Sequence, residues 1–390
     1  MKTFFRNIHL YLSLLAGVVI MIACITGAIL VFEKELQEAF NPGRYSSAES
    51  GKPLPLEQVL NSVKSEYPEV RVVAVKTFTE PGRNLEIGLS IPPKEIKKTA
   101  GKPEKGEGPK GKPAAGEGRA SHTAFVNPYS GAVVELYSYR ETFFYKVFAL
   151  HRWLLGSNDG IGKYIVGVST FIFLFILITG IVLWWPKTRR ILAQRLKIKG
   201  DGGWKRLNHD LHLVLGFYSS IFLFIFAFTA MSWSFKWFNK GIARVTNSSL
   251  EAPEPPVSAF RADRSSISYD DAMKVIKNKF ADAVSFQIRE PKDSTGVYSI
   301  TVLEAGRMEN ATDTYYLDQY SGEIAGTYTF EQKNLGQQVR AYVKPVHTGS
   351  VFGMPSKIIS LIVCVLGATF PVTGTIMWLN RLKKEKKRGV

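Results

Sequence analysis

Histidine is the residue whose placement in this sequence most strongly suggests chemistry. The chain of 390 residues has six histidines, and five of them lie at or near the ends of long apolar runs. His9 and His212 begin the first and third runs, whereas His151 and His347 lie shortly before the second and fourth. Ionisable groups at membrane depth are costly and usually face a bundle interior with a partner. The spacing therefore predicts two pairs, His9 with His212 and His151 with His347.

Two neutral imidazoles that face each other across a helical bundle are a ligand set for haem b, which needs two axial nitrogens and an apolar slot. The pattern therefore predicts two haem b groups, with these four histidines as axial ligands of the iron. Arg6, which precedes His9, and Arg152, which follows His151, are expected to meet haem propionates. Glycine and aromatic residues of the runs are expected to admit and line the flat rings: Gly17, Gly27, Gly180, Gly216, Gly367, Gly374, Tyr11, Trp153, Phe217 and Trp378.

Two other interpretations of these histidines stay open. His209 lies about one helical turn before His212, so both fall on one helix face and either can serve as the ligand of the first pair. A Zn²⁺ or Cu site would require acidic or thiolate ligands in the same layer, and only Asp210 qualifies. His122 ends a polar stretch and is expected to be an ordinary exposed residue.

The elements that must position the histidines are four apolar runs of about 22 to 25 residues, and about 20 helical residues cross a hydrocarbon core. The first run exceeds a signal-peptide core of about 7–15 residues and ends without a small-residue cleavage site, so it is expected to remain as an anchor. The sequence thus predicts a four-helix membrane bundle. The runs are Ile8–Phe32, Tyr164–Trp185, Leu211–Trp233 and Ile358–Leu379.

Charge predicts how these helices are oriented. The formal net charge is +17, and basic residues concentrate in the short segment 188–207 and in the tail 381–390. Short loops rich in Lys and Arg stay in the cytoplasm, so both termini are expected there and the segments 34–140 and 238–340 on the opposite side. This topology accounts for the charge, and no nucleic-acid recognition motif accompanies it, so we expect no nucleic-acid partner.

Internal similarity predicts that the chain consists of two duplicated halves. Ile178–Trp184 and Val372–Trp378 share the pattern T-G-x-x-x-W, and Asn127–Val133 and Asp318–Ile324 share Y-S-G. Each half reads as helix, outer module, histidine and helix, so both halves enter the membrane in the same orientation. The duplication makes His9 equivalent to His212 and His151 equivalent to His347. These are the same two pairs that the depth of the histidines in the membrane predicts.

Each outer segment is expected to form a small α+β module. Helical spacing occurs in Leu56–Glu66 and Tyr269–Phe280, and alternation typical of strands follows each. The stretch 94–120 is rich in Lys, Gly, Pro and Glu and is expected to be a disordered insertion. Its G-x-G-x-x-G at 106–111 follows no strand, so a dinucleotide site is rejected. The predicted strands are Val70–Val75, Leu85–Ile91, Thr123–Val126, Val133–Tyr137, Ser285–Arg289, Gly296–Leu303 and Thr314–Leu317.

These features divide the chain into alternating membrane and aqueous segments. The predicted boundaries are a first transmembrane helix in 1–33, a first outer module in 34–140, an interfacial segment with the second helix in 141–187, a basic cytoplasmic loop in 188–207, the third helix in 208–237, a second outer module in 238–340, an interfacial segment with the fourth helix in 341–380, and a basic tail in 381–390.

Motifs around the histidines and in the second outer segment resemble a known family. The motifs are Leu150–Leu155 before a helix that ends Thr179–Pro186, then Asp210–Gly216 and Val346–Gly349, and in the outer segment Tyr269–Met273 with Asp318–Glu323. Together they resemble the PepSY-associated transmembrane family, with outer modules similar to the PepSY module itself. The resemblance covers nearly the whole chain apart from the insertion.

That resemblance implies a location and a class of activity. Members of the family are often iron-regulated proteins of the bacterial inner membrane, so the outer modules would be periplasmic. Some members resemble siderophore-iron reductases, which use haem in the helices to reduce Fe(III) in an imported siderophore complex. His9, His151, His212 and His347 match the family's histidines, whereas the additional His209 departs from the pattern.

The expected function is therefore electron transfer across the bilayer to a ferric siderophore or another iron chelate. No flavin or nicotinamide motif is visible, so the electron donor is expected to be a quinol or a separate reductase, and membrane lipid surrounds the helices. A non-enzymatic PepSY membrane sensor, peptide-binding or assembly protein is the alternative, and it would contain no haem. A proton-relaying transporter would be expected to carry acidic or broken segments in mid-membrane, and the runs have almost none.

Overall fold

The chain forms two compact units in the computed structural model, which describes residues 2–91, 120–261 and 264–387. The helical unit comprises Met1–Glu33, Phe143–Thr246 and Tyr342–Val390, and the sheet unit comprises Lys34–Thr142 and Asn247–Ala341. The disordered insertion predicted at 94–120 lies outside the described residues, apart from its last residue.

Helices dominate the first unit and strands dominate the second. The described helices are α1 Lys2–Leu30, α2 Glu33–Phe40, α3 Pro42–Tyr45, α4 Leu56–Glu66, α5 Phe143–Trp153, α6 Ile161–Trp184, α7 Arg189–Arg195, α8 Gly203–Asp210, α9 Gly216–Ser234, α10 Lys236–Val245, α11 Tyr269–Lys277, α12 Leu335–Thr348 and α13 Met354–Lys387. The described strands are β1 Arg71–Phe78, β2 Leu85–Ser90, β3 His122–Val126, β4 Val133–Tyr137, β5 Ala283–Arg289, β6 Val297–Glu304, β7 Asp313–Asp318 and β8 Ile324–Tyr328.

Four helical spans among the described residues are long and apolar enough to cross a membrane, as the sequence predicts. They are α1, α6, the continuous span of α8 and α9, and α13. The best windows of these spans have mean hydropathies of 2.5, 2.7, 2.1 and 2.0. The spans begin before the apolar runs because the polar residues that flank each run also adopt helical backbone, which satisfies their N–H and C=O groups.

The bundle packs around a small apolar core at its centre. Helix α1 contacts both α6 and α13, and α9 contacts α6 and α13. Gly367 lies so close to α1 that a Cβ placed there would be 2.8 Å from Cys24 Sγ, and small residues of this kind let membrane helices approach. The buried core residues are Ala16, Ile20, Cys24, Ile176, Leu223 and Val363.

The sheet unit contains a single antiparallel sheet of eight described strands, in the order β4-β3-β2-β1-β5-β6-β7-β8. The two segments contribute four strands each and join where β1 pairs with β5, with Val75 opposite Ile288. Alternation predicted most of these strands, but it did not predict that both modules share one sheet, because strand partners are chosen over long sequence separations. The join covers two strand edges that would otherwise present unpaired N–H and C=O groups.

Two helices, one from each segment, contribute to the core of the sheet unit. Helix α4 has the predicted bounds, and α11 ends at Lys277, three residues before the predicted end. Each fully buried aliphatic side chain of such a core stabilises the fold by about 1.5–3 kcal/mol. The buried residues of the two helices are Leu56, Val59, Leu60, Val63, Tyr269, Ala272, Met273 and Ile276.

The N-terminus of α4 is capped by a side chain from the other segment. Pro55 precedes the helix and makes no side-chain cap. The Asp270 carboxylate of α11 accepts instead from the backbone N–H of Leu56 at 2.8 Å and from that of Glu57 at 3.1 Å. A carboxylate at this position satisfies orphan donors and opposes the positive end of the helix dipole, so it ties the two segments together.

Replacing Asp270 with alanine is expected to lower the free energy of unfolding of the sheet unit by about 1 kcal/mol, because two N–H groups lose their acceptor. The melting temperature of the purified full chain in detergent should fall by about 2–4 °C. Asp282→Ala is the matched control, since its exposed side chain makes no hydrogen bond or ion pair to the described part of the chain. Equal melting temperatures for the two variants would contradict the capping role.

Candidate functional site

The structure gathers the four predicted histidines into two pairs within the helical unit. His9 of α1 and His212, which follows α8, line one cavity and form the 9/212 pair. His151 of α5 and His347 of α12 form the 151/347 pair, whose ring centres lie 6.2 Å apart. Sequence spacing alone could propose these partners but could not place their rings.

The separation of the 151/347 pair suits one metal ion between the rings. Two metal–nitrogen bonds of about 2.0 Å, with each nitrogen about 1.1 Å from its ring centre, place the ring centres about 6 Å apart. The observed 6.2 Å matches this value. Aromatic rings surround His347, with the centre of Trp233 at 5.1 Å and that of Phe226 at 6.3 Å.

In the 151/347 pair, the Nδ1 atom of each imidazole contacts a threonine and a backbone carbonyl of a neighbouring helix. His151 Nδ1 lies 2.9 Å from Thr26 Oγ1 and 3.0 Å from the carbonyl oxygen three residues before that threonine. His347 Nδ1 lies 3.1 Å from Thr229 Oγ1 and 3.0 Å from the carbonyl oxygen at the equivalent position. The two histidines thus use the same local geometry on α1 and on α9.

The 9/212 pair repeats the threonine contact on the other two spanning helices, and His9 also repeats the carbonyl contact. His9 Nδ1 lies 3.0 Å from Thr179 Oγ1 and 3.0 Å from the carbonyl oxygen three residues before it. His212 Nδ1 lies 2.8 Å from Thr373 Oγ1. Each of the four spanning helices therefore presents one threonine to one histidine.

These contacts determine which ring nitrogen carries the proton. Each threonine hydroxyl donates to a carbonyl of its own helix, at 2.6 Å for Thr26, 2.8 Å for Thr179, 2.7 Å for Thr229 and 3.1 Å for Thr373. The hydroxyl oxygens can therefore only accept, so the histidine Nδ1–H donates to them. Among the residues that the structure describes, no hydrogen bond uses Nε2, which keeps a lone pair for a metal ion. Metal-binding histidines are typically oriented in this way.

Glycine follows the threonine in three of the four helices and leaves room for the imidazole. A Cβ at Gly27, Gly180 or Gly374 would lie 3.5, 3.3 or 3.2 Å from Cε1 of the histidine packed there. The last two distances are tighter than ordinary van der Waals contact, so a side chain would displace the ring. This explains why the T-G steps of the sequence coincide with the histidine contacts.

The 9/212 pair faces a cavity of about 470 Å³ between the spanning helices. Cofactor and ligand sites commonly have volumes of about 300–1,000 Å³, are mostly apolar and contain a few polar groups. The residues that line it include Arg6, His9, Gly17, Ile20, Gly180, Trp184, Arg195, His209, His212, Phe217, Leu223, Gly367, Phe370, Gly374, Trp378 and Arg381.

The polar groups of this cavity fit the two carboxylates of a haem. Arg6, Arg195 and Arg381 all line it, and guanidinium groups bind carboxylates well. Trp184 Nε1 is buried and has no hydrogen-bond partner among the described residues, although its ring stacks on Phe217 with centres 3.7 Å apart. A buried donor without an acceptor is costly, and a ligand carboxylate in this cavity would supply one.

Arg195 and Arg381 were not among the sequence-predicted site residues. Both lie in basic stretches that were interpreted only as a signal for membrane orientation, and no local pattern shows which of those cations turns towards the cavity. Arg6 lines the cavity as expected for a propionate partner. Arg152, the predicted partner at the other pair, lies with its guanidinium 5.7 Å from the ring centre of Trp153, whose Nε1 is also buried and without a partner in the described chain.

His212 lies in a single turn of π-helix, Leu211–Leu215, between α8 and α9. Such turns are uncommon and occur frequently at functional sites, because they change which residues share a helix face. His209 also lines the cavity, but its Nδ1 lies 3.2 Å from the Asp210 carboxylate and its side chain is 44% exposed. The geometry favours His212 over His209 as the member of the pair.

The arrangement does not resemble a chelating cage for a free metal ion. Among the described residues, no group of three or more His, Cys, Asp and Glu side chains could hold one. The Asp210 carboxylate, the only acidic candidate of the sequence analysis, accepts from Arg206 Nε at 2.8 Å and from the backbone of Lys199 at 3.2 Å. The histidines occur as pairs, which suits a group that supplies its own equatorial ligands.

Removing a threonine contact should perturb one pair selectively. In Thr26→Val, His151 keeps only its carbonyl partner, and loss of such an outer contact typically costs about 10–100-fold in metal affinity. For a haem held by the 151/347 pair, which the sequence analysis predicts, we expect weaker retention and a shifted reduction midpoint potential. Thr170→Val is the control, because among the described residues this buried hydroxyl bonds only the carbonyl of Val166 in its own helix. Identical haem retention and potentials in the two variants would contradict the orienting role.

Comparison with known proteins identifies the family to which the chain belongs. No curated protein matches the chain. The model of the PepSY-associated TM region family matches residues 6–381, which include most of each of the four described spanning helices and both strand-forming segments. This protein therefore belongs to the PepSY-associated TM region family.

Proposed function

We propose that the protein is a two-haem electron-transfer protein of the bacterial inner membrane that reduces ferric chelates, siderophore complexes above all, on the periplasmic side. One observation carries the proposal: both histidine pairs donate their Nδ1–H to the helices behind them and leave Nε2 for a metal ion. The spacing of the 151/347 pair and the cavity of the 9/212 pair support it.

When bound, haem b would supply one-electron redox chemistry at each pair. The four histidines would hold the haem iron atoms, and the contacts of their Nδ1 atoms with threonines and carbonyls keep the imidazoles in one tautomer and orientation. The arginines of the cavity would neutralise the haem propionates, whose charge is otherwise costly at this depth. The apolar core around Ile20, Cys24 and Leu223 excludes water from the middle of the bundle.

The proposal includes a direction across the membrane. The basic segments 188–207 and 381–390 would place the 9/212 pair on the cytoplasmic side, with both termini. The 151/347 pair and the sheet unit would then be periplasmic. The repeated threonine–histidine geometry also supports an origin from two duplicated halves, because Thr26 and Thr229 serve one pair and Thr179 and Thr373 serve the other.

Reduction suits the release of iron from a chelate. Each Fe(III) takes up one electron and becomes Fe(II), a softer ion of lower charge that hard oxygen ligands bind far less strongly. The sheet unit would provide the surface where the chelate docks. Electrons would come from a quinol or from a separate reductase.

Absorption spectroscopy on the purified protein tests this function. The full chain, expressed with ample haem and purified in mild detergent, should show b-type spectra that change on dithionite reduction, with two haems per chain by pyridine haemochrome. The reduced protein should then convert a ferric hydroxamate chelate to Fe(II), detected with a ferrous-specific dye, and a His151→Ala/His347→Ala double variant should not. A colourless protein would contradict the proposal and would favour the non-enzymatic PepSY sensor, peptide-binding or assembly protein.

A further inference from the structure

The helical unit has a second concavity, an apolar groove of about 690 Å³ between α1, α8 and α13. It extends along α13 from Val365 to Ile376, which corresponds to about 16 Å at a rise of about 1.5 Å per residue. Ile25 and Ala28 of α1 form part of its wall, and Trp204 of α8 also lines it. The groove lies within the membrane-spanning segments, where an apolar chain is a natural occupant.

One polar side chain in this groove has an amide oxygen without a hydrogen-bond partner among the described residues. Asn208 is 1% exposed and lines the groove. Its Nδ2 donates to the carbonyl oxygen of Thr373 at 3.1 Å. Because a carbonyl oxygen can only accept, the nitrogen of the Asn208 amide faces Thr373 and the amide oxygen lies on the opposite side. That oxygen, Oδ1, is buried and has no hydrogen-bond partner in the described part of the chain. Burying an unsatisfied acceptor costs about 1–3 kcal/mol.

A chain of hydrogen bonds connects the groove to the 9/212 pair. Thr373 lines the groove, accepts from Asn208 through its carbonyl, and accepts from His212 Nδ1 through its hydroxyl at 2.8 Å. A molecule that forms a hydrogen bond with Asn208 would therefore be linked to His212 through two residues, Asn208 and Thr373. This position is suitable for delivering electrons to that pair.

We infer that this groove binds a lipid-soluble quinol, which donates a hydroxyl hydrogen bond to Asn208 Oδ1 and is oxidised beside the 9/212 pair. The inference rests on the proposed function and identifies the electron donor. A quinol supplies the missing donor hydrogen, an aromatic ring that can pack near Trp204, and an apolar tail for the wall formed by α13. A phospholipid acyl chain fills the groove equally well but leaves Oδ1 unsatisfied, so a quinol fits better.

The reaction balances with the ferric chelate as oxidant. Oxidation of one quinol to the quinone breaks two O–H bonds and releases two protons to water and two electrons. The two electrons reduce two Fe(III) chelates to Fe(II), one electron each. Asn208 acts as a binding residue that orients the hydroxyl, since a neutral amide takes up no proton.

Photoaffinity labelling tests binding without any requirement for haem. The full chain in detergent is irradiated with an azido-benzoquinone that carries a decyl tail, then digested and mapped by mass spectrometry. We expect labels on peptides from 204–211 and 365–376, and at least tenfold less label with excess unmodified decyl quinol. Labels spread evenly over all four spanning helices would overturn the inference.

Reduction kinetics test the role of Asn208 in the haem-loaded protein. Asn208→Leu keeps the size but removes both the acceptor Oδ1 and the Nδ2 group that donates to Thr373. It should slow reduction by decyl quinol at least tenfold and leave haem content and the dithionite-reduced spectrum unchanged. Thr369→Val is the control, since that groove hydroxyl already bonds Leu366 of its own helix. Should Asn208→Leu fail to fold, Ala28→Phe fills the groove from α1 and should raise the KM for the quinol.

The outcomes separate this inference from the proposed function. A haem-free protein that is still labelled in the groove refutes the proposed function and supports the binding site. A two-haem protein that dithionite reduces but decyl quinol does not refutes the quinol site and leaves the proposed function standing. Wild-type rates in both Asn208→Leu and Ala28→Phe would show that the groove holds only lipid.

Discussion

Replacing His347 with alanine is expected to remove one of two b-type haems and to leave the other spectrally unchanged. Under the proposed function, the iron held by His347 and His151 would lose one of its two histidine ligands, so this haem would be retained poorly. The pyridine haemochrome count should fall from about two to about one per chain, and the ferric-chelate reductase activity should become undetectable, because the proposal places both pairs on one electron route.

His151→Ala should remove the same haem. Because the two ligands act as one unit, the double variant should lose no more haem than either single variant. His122→Ala is the matched control, since this histidine lies on β3 of the sheet unit and, within the described part of the chain, its Nδ1 contacts only Ser121. Independent loss of two different haems in His151→Ala and His347→Ala would disprove the assignment of this pair.

The second large effect is expected at the other pair and decides which histidine near the π-helical turn is the ligand. His9→Ala and His212→Ala should each remove the haem that His347→Ala retains, as the cavity loses an axial nitrogen on one side. Quinol or reductase should then fail to reduce the remaining haem, whereas dithionite should still do so. Difference spectra of each variant before and after each reductant measure this.

His209→Ala is the matched control at this pair and should keep about two haems per chain. Its Nδ1 contacts the Asp210 carboxylate, so it is held apart from the threonine contact that orients His212. Loss of the haem in His209→Ala with retention in His212→Ala would reverse the assignment and make His209 the ligand. The two variants therefore separate the alternatives that the sequence leaves open.

Local sequence patterns predicted most elements of the sheet unit but not the arrangement of its strands. Alternating residues predicted β1 to β7 to within a few residues, and apolar spacing predicted α4 with its observed bounds. β8, Ile324–Tyr328, was not predicted, because its sequence Ile-Ala-Gly-Thr-Tyr has a central glycine and no alternation of apolar and polar residues. The pairing of β1 with β5 was not predicted either. The sequence of a strand indicates which side chains face the core, whereas its neighbouring strand is determined by long-range packing.

For the helical unit, the sequence by itself determined the four spanning helices and the two proposed histidine pairs. Their signals are local or repeated along the chain: about 20 apolar residues per span, basic flanks, and histidines at equivalent depths. The T-G steps were visible as a repeat, but their role as histidine partners was not, since each contact joins residues more than 100 positions apart.

Only the tertiary structure decided the details that give the sites their chemistry. It assigned the Nδ1 protons through threonines on other helices and turned Arg195 and Arg381 towards the cavity. It also left the amide oxygen of Asn208 without a partner among the described residues, beside an apolar groove. These features depend on how helices pack, because the side chain that a residue meets is set by the packing of whole helices and is not encoded in its immediate neighbours.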